Sequence, residues 1–277
     1  MSELFGLDAY SPRQIAERVE TVGVAKARLP LLPMFMLSML GGAFIGLGAL
    51  YFVIVRSDPT LGYALKQVIG GMAFALGLIL VIVAGAELFT GNNLLVMAWA
   101  DRKISTVELL RSWAIVCTGN FVGAAGLALL VFLSRHPETN GNAIGREYLV
   151  IASAKLAMPF WTAFFKGVLC NALVCLAVWM ALGGRSVVDK VVAIVVPVSA
   201  FVAAGFEHSV ANMYLIPMAM LVQDFGAGAS GPAISLAGLF GHLLPVLLGN
   251  IIGGSVMVGL VYHLVYQRAP AGDSGAG

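Results

Sequence analysis

Hydrophobic and polar positions fall in blocks along this chain. Six long apolar stretches, at roughly 34–55, 67–100, 112–134, 158–183, 191–220 and 237–266, are separated by short segments that hold most of the charges. About 20 apolar residues at 1.5 Å each cross the hydrocarbon layer of a bilayer, so each stretch predicts a membrane-spanning helix. The second and fifth break this pattern. The second contains Glu87, Asn92 and Asn93 among Gly85 and Gly91; the fifth contains Glu207, His208 and Asn212 ahead of Pro217. Straight helices of that length would overshoot the bilayer or set ionised groups against lipid. A break in each helix near mid-membrane, with the irregular backbone lining an internal cavity, avoids both.

The ends read differently. Ser11-Pro12 suits an N-cap followed by N1, and Ile15, Val19 and Val22 recur at helical spacing. Residues 1–30 are therefore expected to form a cytoplasmic amphipathic segment lying at the membrane surface. Glu3, Asp8, Glu17 and Glu20 are interleaved there with basic residues, without the apolar core of a signal peptide. Residues 31–268 form the six-span unit, and the Gly/Ala/Ser-rich 269–277 is expected to be a disordered tail. With the N-terminus inside, cytoplasmic segments hold Arg13, Arg18, Lys26, Arg28, Arg102, Lys103, Arg111, Arg185, Lys190 and Arg268. The outer segments hold Arg56, Lys66, Arg135 and Arg146. This imbalance of basic residues predicts both termini in the cytoplasm.

An internal repeat marks a site. Ala84-Gly85-Ala86-Glu87-Leu88-Phe89-Thr90-Gly91-Asn92 aligns with Ala204-Gly205-Phe206-Glu207-His208-Ser209-Val210-Ala211-Asn212. Gly119-Asn120-Phe121-Val122-Gly123 then aligns with Gly249-Asn250-Ile251-Ile252-Gly253. The order predicts a duplicated three-helix unit. Three spans is an odd number, so the second copy enters from the opposite side, and the two breaks should meet near the midplane. The pairs Gly42/Gly46, Gly119/Gly123 and Gly249/Gly253 suit close helix contact. Gly85 and Gly205 suit unusual backbone at the breaks.

Composition excludes most other classes. The chain is 60% hydrophobic and 11% charged, well below the ~25% charge of a soluble domain. A net charge of +2 without a basic cluster gives no case for nucleic acid. Cys117, Cys170 and Cys175 lie in apolar runs and read as small buried hydrophobes. No metal spacing is present, and no cofactor is expected.

Among the polar residues, His208 stands out. A histidine inside the membrane usually faces a cavity, and it can donate to an anion. Thr90, in the matching break, offers a hydroxyl. A pore for anions should not present bare carboxylates, so Glu87 and Glu207 read as braces accepting backbone N–H groups freed by the breaks, with proton transfer as the other reading. Asn92 and Asn212 read as local caps. Lys155, just before the fourth span, could concentrate anions at a pore mouth. Lys166 lies deeper, and Asn171 could donate into a vestibule. Phe74 and Leu78 share one face before the first break, and Phe201 shares a face with His208; pore lining and core packing are both open for them.

Three strings carry a resemblance: 84–92, Phe165-Lys166-Gly167-Val168-Leu169-Cys170-Asn171, and Gly205-Phe206-Glu207-His208-Ser209-Val210-Ala211-Asn212-Met213. They resemble signatures of the formate–nitrite transporter family over roughly 12–268. The resemblance implies an aquaporin-like, all-α fold, a homopentamer and a separate pore in each protomer. It implies His208 and Thr90 as the central pair, Leu88 on the loop that breaks the second helix, and Phe74, Leu78 and Phe201 at the constrictions. Lys155 and Asn171 would form the outer vestibule. Gly184-Arg185-Ser186-Val187-Val188-Asp189-Lys190 and 212–218 are closer to formate channels, so formate is the expected anion and nitrite the alternative, with hydrosulfide, acetate and lactate as further family substrates.

The expected mechanism starts from desolvation. An ionised carboxylate is costly to move into an apolar constriction and becomes easier to protonate as the dielectric falls. His208 would then donate a hydrogen bond or a proton. Two other classes fit the sequence less well. An intramembrane enzyme built on Glu207 and His208 would need a nucleophile or metal, and neither H-E-x-x-H nor G-x-S-x-G occurs; no catalytic residue is expected. A neutral-solute channel of aquaporin type would carry paired N-P-A boxes, which are absent.

Overall fold

The computed structural model describes residues 9–226 and 233–267, and every regular element among them is helical. The first helix, α1 (Pro12–Ala27), starts from a capping box in which Ser11 accepts from the Gln14 N–H and the Gln14 side chain accepts from the Ser11 N–H. Helices α2 (Leu31–Arg56) and α3 (Tyr63–Leu80) follow. A π-helical turn (Val81–Gly85), an irregular stretch and a 3₁₀ segment (Gly91–Leu95) then lead to the short α4 (Val96–Ala100). Next come α5 (Thr106–Leu133), α6 (Ala143–Leu156) and α7 (Phe160–Gly183). Helices α8 (Val187–Ala203) and α9 (Ser209–Phe225) flank the second interruption. Finally α10 (Leu236–Ile251) continues through a π-helical stretch (Ile252–Leu260) into α11 (Val261–Tyr266).

Five helices among the described residues are long and apolar enough to cross a membrane: Leu31–Arg56, Tyr63–Gly85, Thr106–Leu133, Phe160–Gly183 and Leu236–Tyr266. The apolar stretch 191–220 is divided between α8 and α9, each of 17 residues. Large apolar side chains such as Leu130, Phe165 and Leu244 are exposed on the outside of these helices. Water would penalise such a surface, whereas lipid is its natural solvent, and the chain is a multi-pass membrane protein.

Two tight crossings hold the bundle. A Cβ on Gly123 of α5 would collide with the backbone carbonyl of Met39 in α2, and one on Gly253 would collide with that of Val168 in α7. Only hydrogen at these positions lets the helix backbones touch, the usual means of helix association in lipid.

The amphipathic helix α1 does not lie apart on the surface. Ile15 and Val19 bury against Leu94, Met97 and Trp179, so α1 is seated beneath the 3₁₀ segment of the first break. Val22 remains exposed. The tail 269–277 lies outside the described residues.

Candidate functional site

Both breaks turn on a glycine. Gly85 has φ +88° and Gly205 φ +68°, a region that L side chains enter only at a cost. After Gly85 the chain runs irregularly through Ala86–Thr90; after Gly205 it runs through Phe206 and Glu207 to His208, the N-cap of α9.

The backbone groups freed by the breaks are satisfied by two asparagines on neighbouring helices. Asn120 of α5 accepts from the Phe89 N–H at 2.9 Å and donates to the carbonyls of Glu87 at 2.9 Å and Ser38 at 2.7 Å. Asn250 of α10 accepts from the Ser209 N–H at 3.0 Å and donates to the carbonyls of Glu207 at 3.0 Å and Gly167 at 2.8 Å. The Glu87 N–H donates to the Leu37 carbonyl, and the Glu207 N–H to the Lys166 carbonyl. Each of these four bonds at one break thus has a counterpart at the other.

The carboxylates were expected to take up those backbone N–H groups, and here the structure differs. Glu87 accepts from the Asn92 amide at 2.7 Å and pairs with Lys26 of α1 at 3.0 Å; Lys26 also donates to Asn92 Oδ1 at 3.2 Å. Glu207 accepts from the Asn212 amide at 2.8 Å, is bridged by Lys155 of α6 through both oxygens at 2.9 and 2.8 Å, and meets His242 Nε2 at 3.2 Å. Asn92 and Asn212 therefore hold carboxylates and are not local caps. The physical reason is charge. A buried carboxylate needs a cation more than it needs another amide, and Asn120 and Asn250 already serve the backbone.

Between the breaks, His208 Nε2 lies 3.1 Å from Thr90 Oγ1, with both residues buried. The other ring nitrogen fixes the tautomer. Nδ1 accepts the Ala211 N–H at 3.1 Å as the cap of α9, so in the neutral ring the proton sits on Nε2 and points at Thr90. The Thr90 hydroxyl, accepting from the ring, keeps its own proton to donate. Phe201 stacks on the imidazole at 6.0 Å with 16° between planes, and Phe74 sits edge-on at 6.3 Å. The ring is thus dry on its sides and polar at its edge.

One cavity is lined by His208, and a second by Leu88 and Gly91 on either side of Phe89-Thr90. The first, of about 240 Å³, is lined by Phe74, Phe201, Lys155, Lys166, Glu207 and His208 among others. The second, of about 450 Å³, is lined by Lys26, Glu87, Leu88, Asn92, Leu78 and Val81 among others. Leu88 sits in the irregular stretch of the first break, facing the second cavity. Asn171 departs from its expected place. It is fully buried, and its amide donates to the carbonyls of Thr90 at 3.2 Å and Asn250 at 2.7 Å and to Asn93 Oδ1 at 3.2 Å. It ties the two breaks together from behind and lines neither cavity, because its position on α7 turns it into the bundle.

Sequence reading missed three kinds of residue. Lys26 is one; the signal was the spacing Lys26-x-x-x-Pro30, repeated as Lys155-x-x-x-Pro159. Asn120 and Asn250 are the second, standing inside a repeated motif whose glycines alone were given a role. His242 is the third, and nothing in its spacing marks it as a partner of Glu207. Among the described residues no cluster of His, Cys, Asp or Glu could hold a metal ion.

A helical membrane protein in which His208 lines one cavity, the residues flanking Thr90 line another, and a buried hydrogen bond joins His208 to Thr90 is built as a conduit for a small solute. The formate/nitrite transporter family model matches residues 13–264, and the chain belongs to that family. The formate channel FocA of Escherichia coli (strain K12) is 39% identical over 273 residues, covering 94% of this chain and 96% of the relative. A pentameric formate channel with formate bound superposes with a TM-score of 0.79 at 38% identity, over 85% of this chain and 97% of that one. An ion channel of the same family reaches 0.81 at 32% identity, over 91% and 98%.

Proposed function

We propose that this protein carries formate and related small monovalent anions across the membrane through one path in each protomer of a homopentamer. The observation that carries the reading is the Thr90–His208 pair, 3.1 Å apart, with His208 lining one cavity and the neighbours of Thr90, Leu88 and Gly91, lining the other. The likeness to a formate-bound pentameric channel supports both the anion and the assembly.

An anion in either cavity meets an ammonium group whose own charge is balanced by a glutamate, Lys155 with Glu207 or Lys26 with Glu87. Such pairs draw in an anion without trapping it. Phe74 and Phe201 on one side, and Leu78 and Leu88 on the other, strip water from it. In that dry segment the Nε2–H of His208 and the Thr90 hydroxyl replace part of the lost hydration, an electrostatic aid that is strongest where water is excluded. Donation of a hydrogen bond is favoured over release of a proton. Recharging the ring at Nδ1 would break the Ala211 cap, and a neutral ring that gave up Nε2–H would become an anion. Protonation of the passing carboxylate, and hence proton symport, would draw on a proton from the cavities.

The topology we propose has six spans, with α8, the break and α9 forming the fifth. The matched bonds at the two breaks support two inverted three-helix repeats, with α1 and α6 as equivalent helices that bring Lys26 and Lys155 to opposite sides. Both termini then lie in the cytoplasm, with residues 1–30 as the cytoplasmic segment and 31–268 as the transport domain.

The test is uptake of formate, nitrite and hydrosulfide by proteoliposomes, with water permeability measured in the same vesicles. Formate uptake well above that of empty vesicles is expected. Water flow without formate flux would overturn the reading in favour of a neutral-solute channel, and nitrite flux well above formate flux would place the protein in the nitrite branch.

A further inference from the structure

The cavity that ends at His208 has a third cation at its mouth. Arg56, the last residue of α2, lines it together with Gln67, Lys155 and Lys166. Its guanidinium is held in one orientation: Nε donates to Glu147 Oε1 of α6 at 3.0 Å, and Nη1 donates to Gln67 Oε1 of α3 at 2.7 Å. Gln67 is fixed in turn, because its amide donates at 3.0 Å to the carbonyl of Ala203, the last residue of α8 before the second break. The guanidinium plane is thus referenced to the backbone that carries His208.

The placement of the counter-charges separates Arg56 from Lys155. Lys155 is bridged by both oxygens of Glu207, and that carboxylate lines the cavity with it. Glu147, by contrast, does not line the cavity; it stands behind the guanidinium and engages Nε. The face that Arg56 presents inward is therefore cationic, while the Lys155–Glu207 pair presents both signs. Engaged at Nε and through one bond at Nη1, the guanidinium keeps the N–H groups of Nη2 and the second N–H of Nη1 for a further acceptor, which suits a carboxylate or a similar small oxyanion.

We infer that Arg56 forms an anion-capture subsite at the mouth of this cavity, ahead of Lys155, with Gln67 and Glu147 as positioning residues. The inference rests on the proposed anion flux. Glu147 both aims the guanidinium and lowers its field, so its removal should strengthen capture. A clasp that only braced α2, α3 and α6 would respond the same way to loss of either partner.

The experiment compares initial formate uptake by proteoliposomes of wild type, Arg56→Gln, Arg56→Lys and Glu147→Gln over a range of formate concentrations at low and high ionic strength. Arg56→Gln is expected to raise the half-saturating concentration by about threefold to tenfold, and Glu147→Gln to lower it by about twofold, the sizes expected of one charge at a cavity mouth. Arg56→Lys should fall between Arg56→Gln and wild type. High salt, which shortens the Debye length well below ~10 Å, should narrow these differences. Equal losses of maximal rate in Arg56→Gln and Glu147→Gln, with half-saturation unmoved, would overturn the inference in favour of a brace. If Arg56→Gln fails to assemble, the direction of the Glu147→Gln change decides alone: a fall in half-saturation supports the subsite, and no change or a rise sinks it. Absence of wild-type formate uptake would instead refute the proposed function.

Discussion

His208 does two jobs with two nitrogens. Nδ1 caps α9 and Nε2 faces Thr90, so the residue that ends the break is also the donor placed in the path. Gly85 and Gly205 make the turn possible at a purely conformational level, since a Cβ on either would meet nothing within 4 Å. Alanine at either position should therefore destabilise by about 1–2 kcal/mol through its positive φ alone. Thermal unfolding in detergent would show this as a lower melting temperature, and an unchanged temperature would mean the backbone had relaxed. Asn120 and Asn250 answer to a different rule. Replacing either with alanine strands one buried N–H and the glutamate carbonyl of the break, while the Ser38 and Gly167 carbonyls stay within helices α2 and α7, a loss of about 1–3 kcal/mol for each group left unsatisfied. We expect Asn120→Ala and Asn250→Ala to be more destabilising in the same assay than the glycine variants.

Much of this was readable in the sequence. Glu87 and Glu207 stood in apolar stretches where neither could be left bare, so breaks and partners were implied. Which partners was not. Lys26 is 61 positions from Glu87 and Lys155 is 52 from Glu207, and only the fold brings them together. Asn171 shows the reverse limit. Its polarity suggested a vestibule, but the side of α7 it occupies is set by packing against α10, which periodicity in a helix apolar on all sides does not reveal.

At the scale of elements, α1 changes most between sequence and structure. Its amphipathic stripe suggested a helix on the membrane surface. It is instead docked under the first break by Ile15 and Val19, by Lys26–Glu87, and by a Glu20–Lys103 contact of 2.7 Å. Burial holds the Glu20 carboxyl above its usual range, with neighbouring Asp101 adding to the rise and Lys103 opposing it. The sign follows from linkage: a carboxyl whose acidity is weakened by docking favours the docked state at low pH and loses that contribution as pH rises through the raised value. Hydrogen exchange across α1, corrected for intrinsic rates, should therefore show more protection at pH 5 than at pH 7.5. Glu20→Gln should flatten the difference. A pH dependence that survives Glu20→Gln would place its origin elsewhere.

For the molecule as a whole, the apolar surface of each protomer faces lipid or its neighbours. Native mass spectrometry should give five times the 29.0 kDa chain mass; a monomer in mild detergent would contradict the assembly. The fold class, the two breaks and the conduit character were legible because lipid leaves so few ways to place a polar residue. The assembly was legible only by resemblance, since no pattern in one chain distinguishes a lipid-facing leucine from one that faces a second copy.

The central claim is that formate crosses a dry segment where the imidazole of His208 stands in for water. Formate flux into proteoliposomes, followed from pH 5 to pH 8 for wild type and His208→Ala, tests it most directly. Formate flux through the variant is expected to fall well below wild type at every pH in this range, because the neutral ring donates its Nε2–H whatever the pH. Flux equal to that of wild type across the range would contradict the claim.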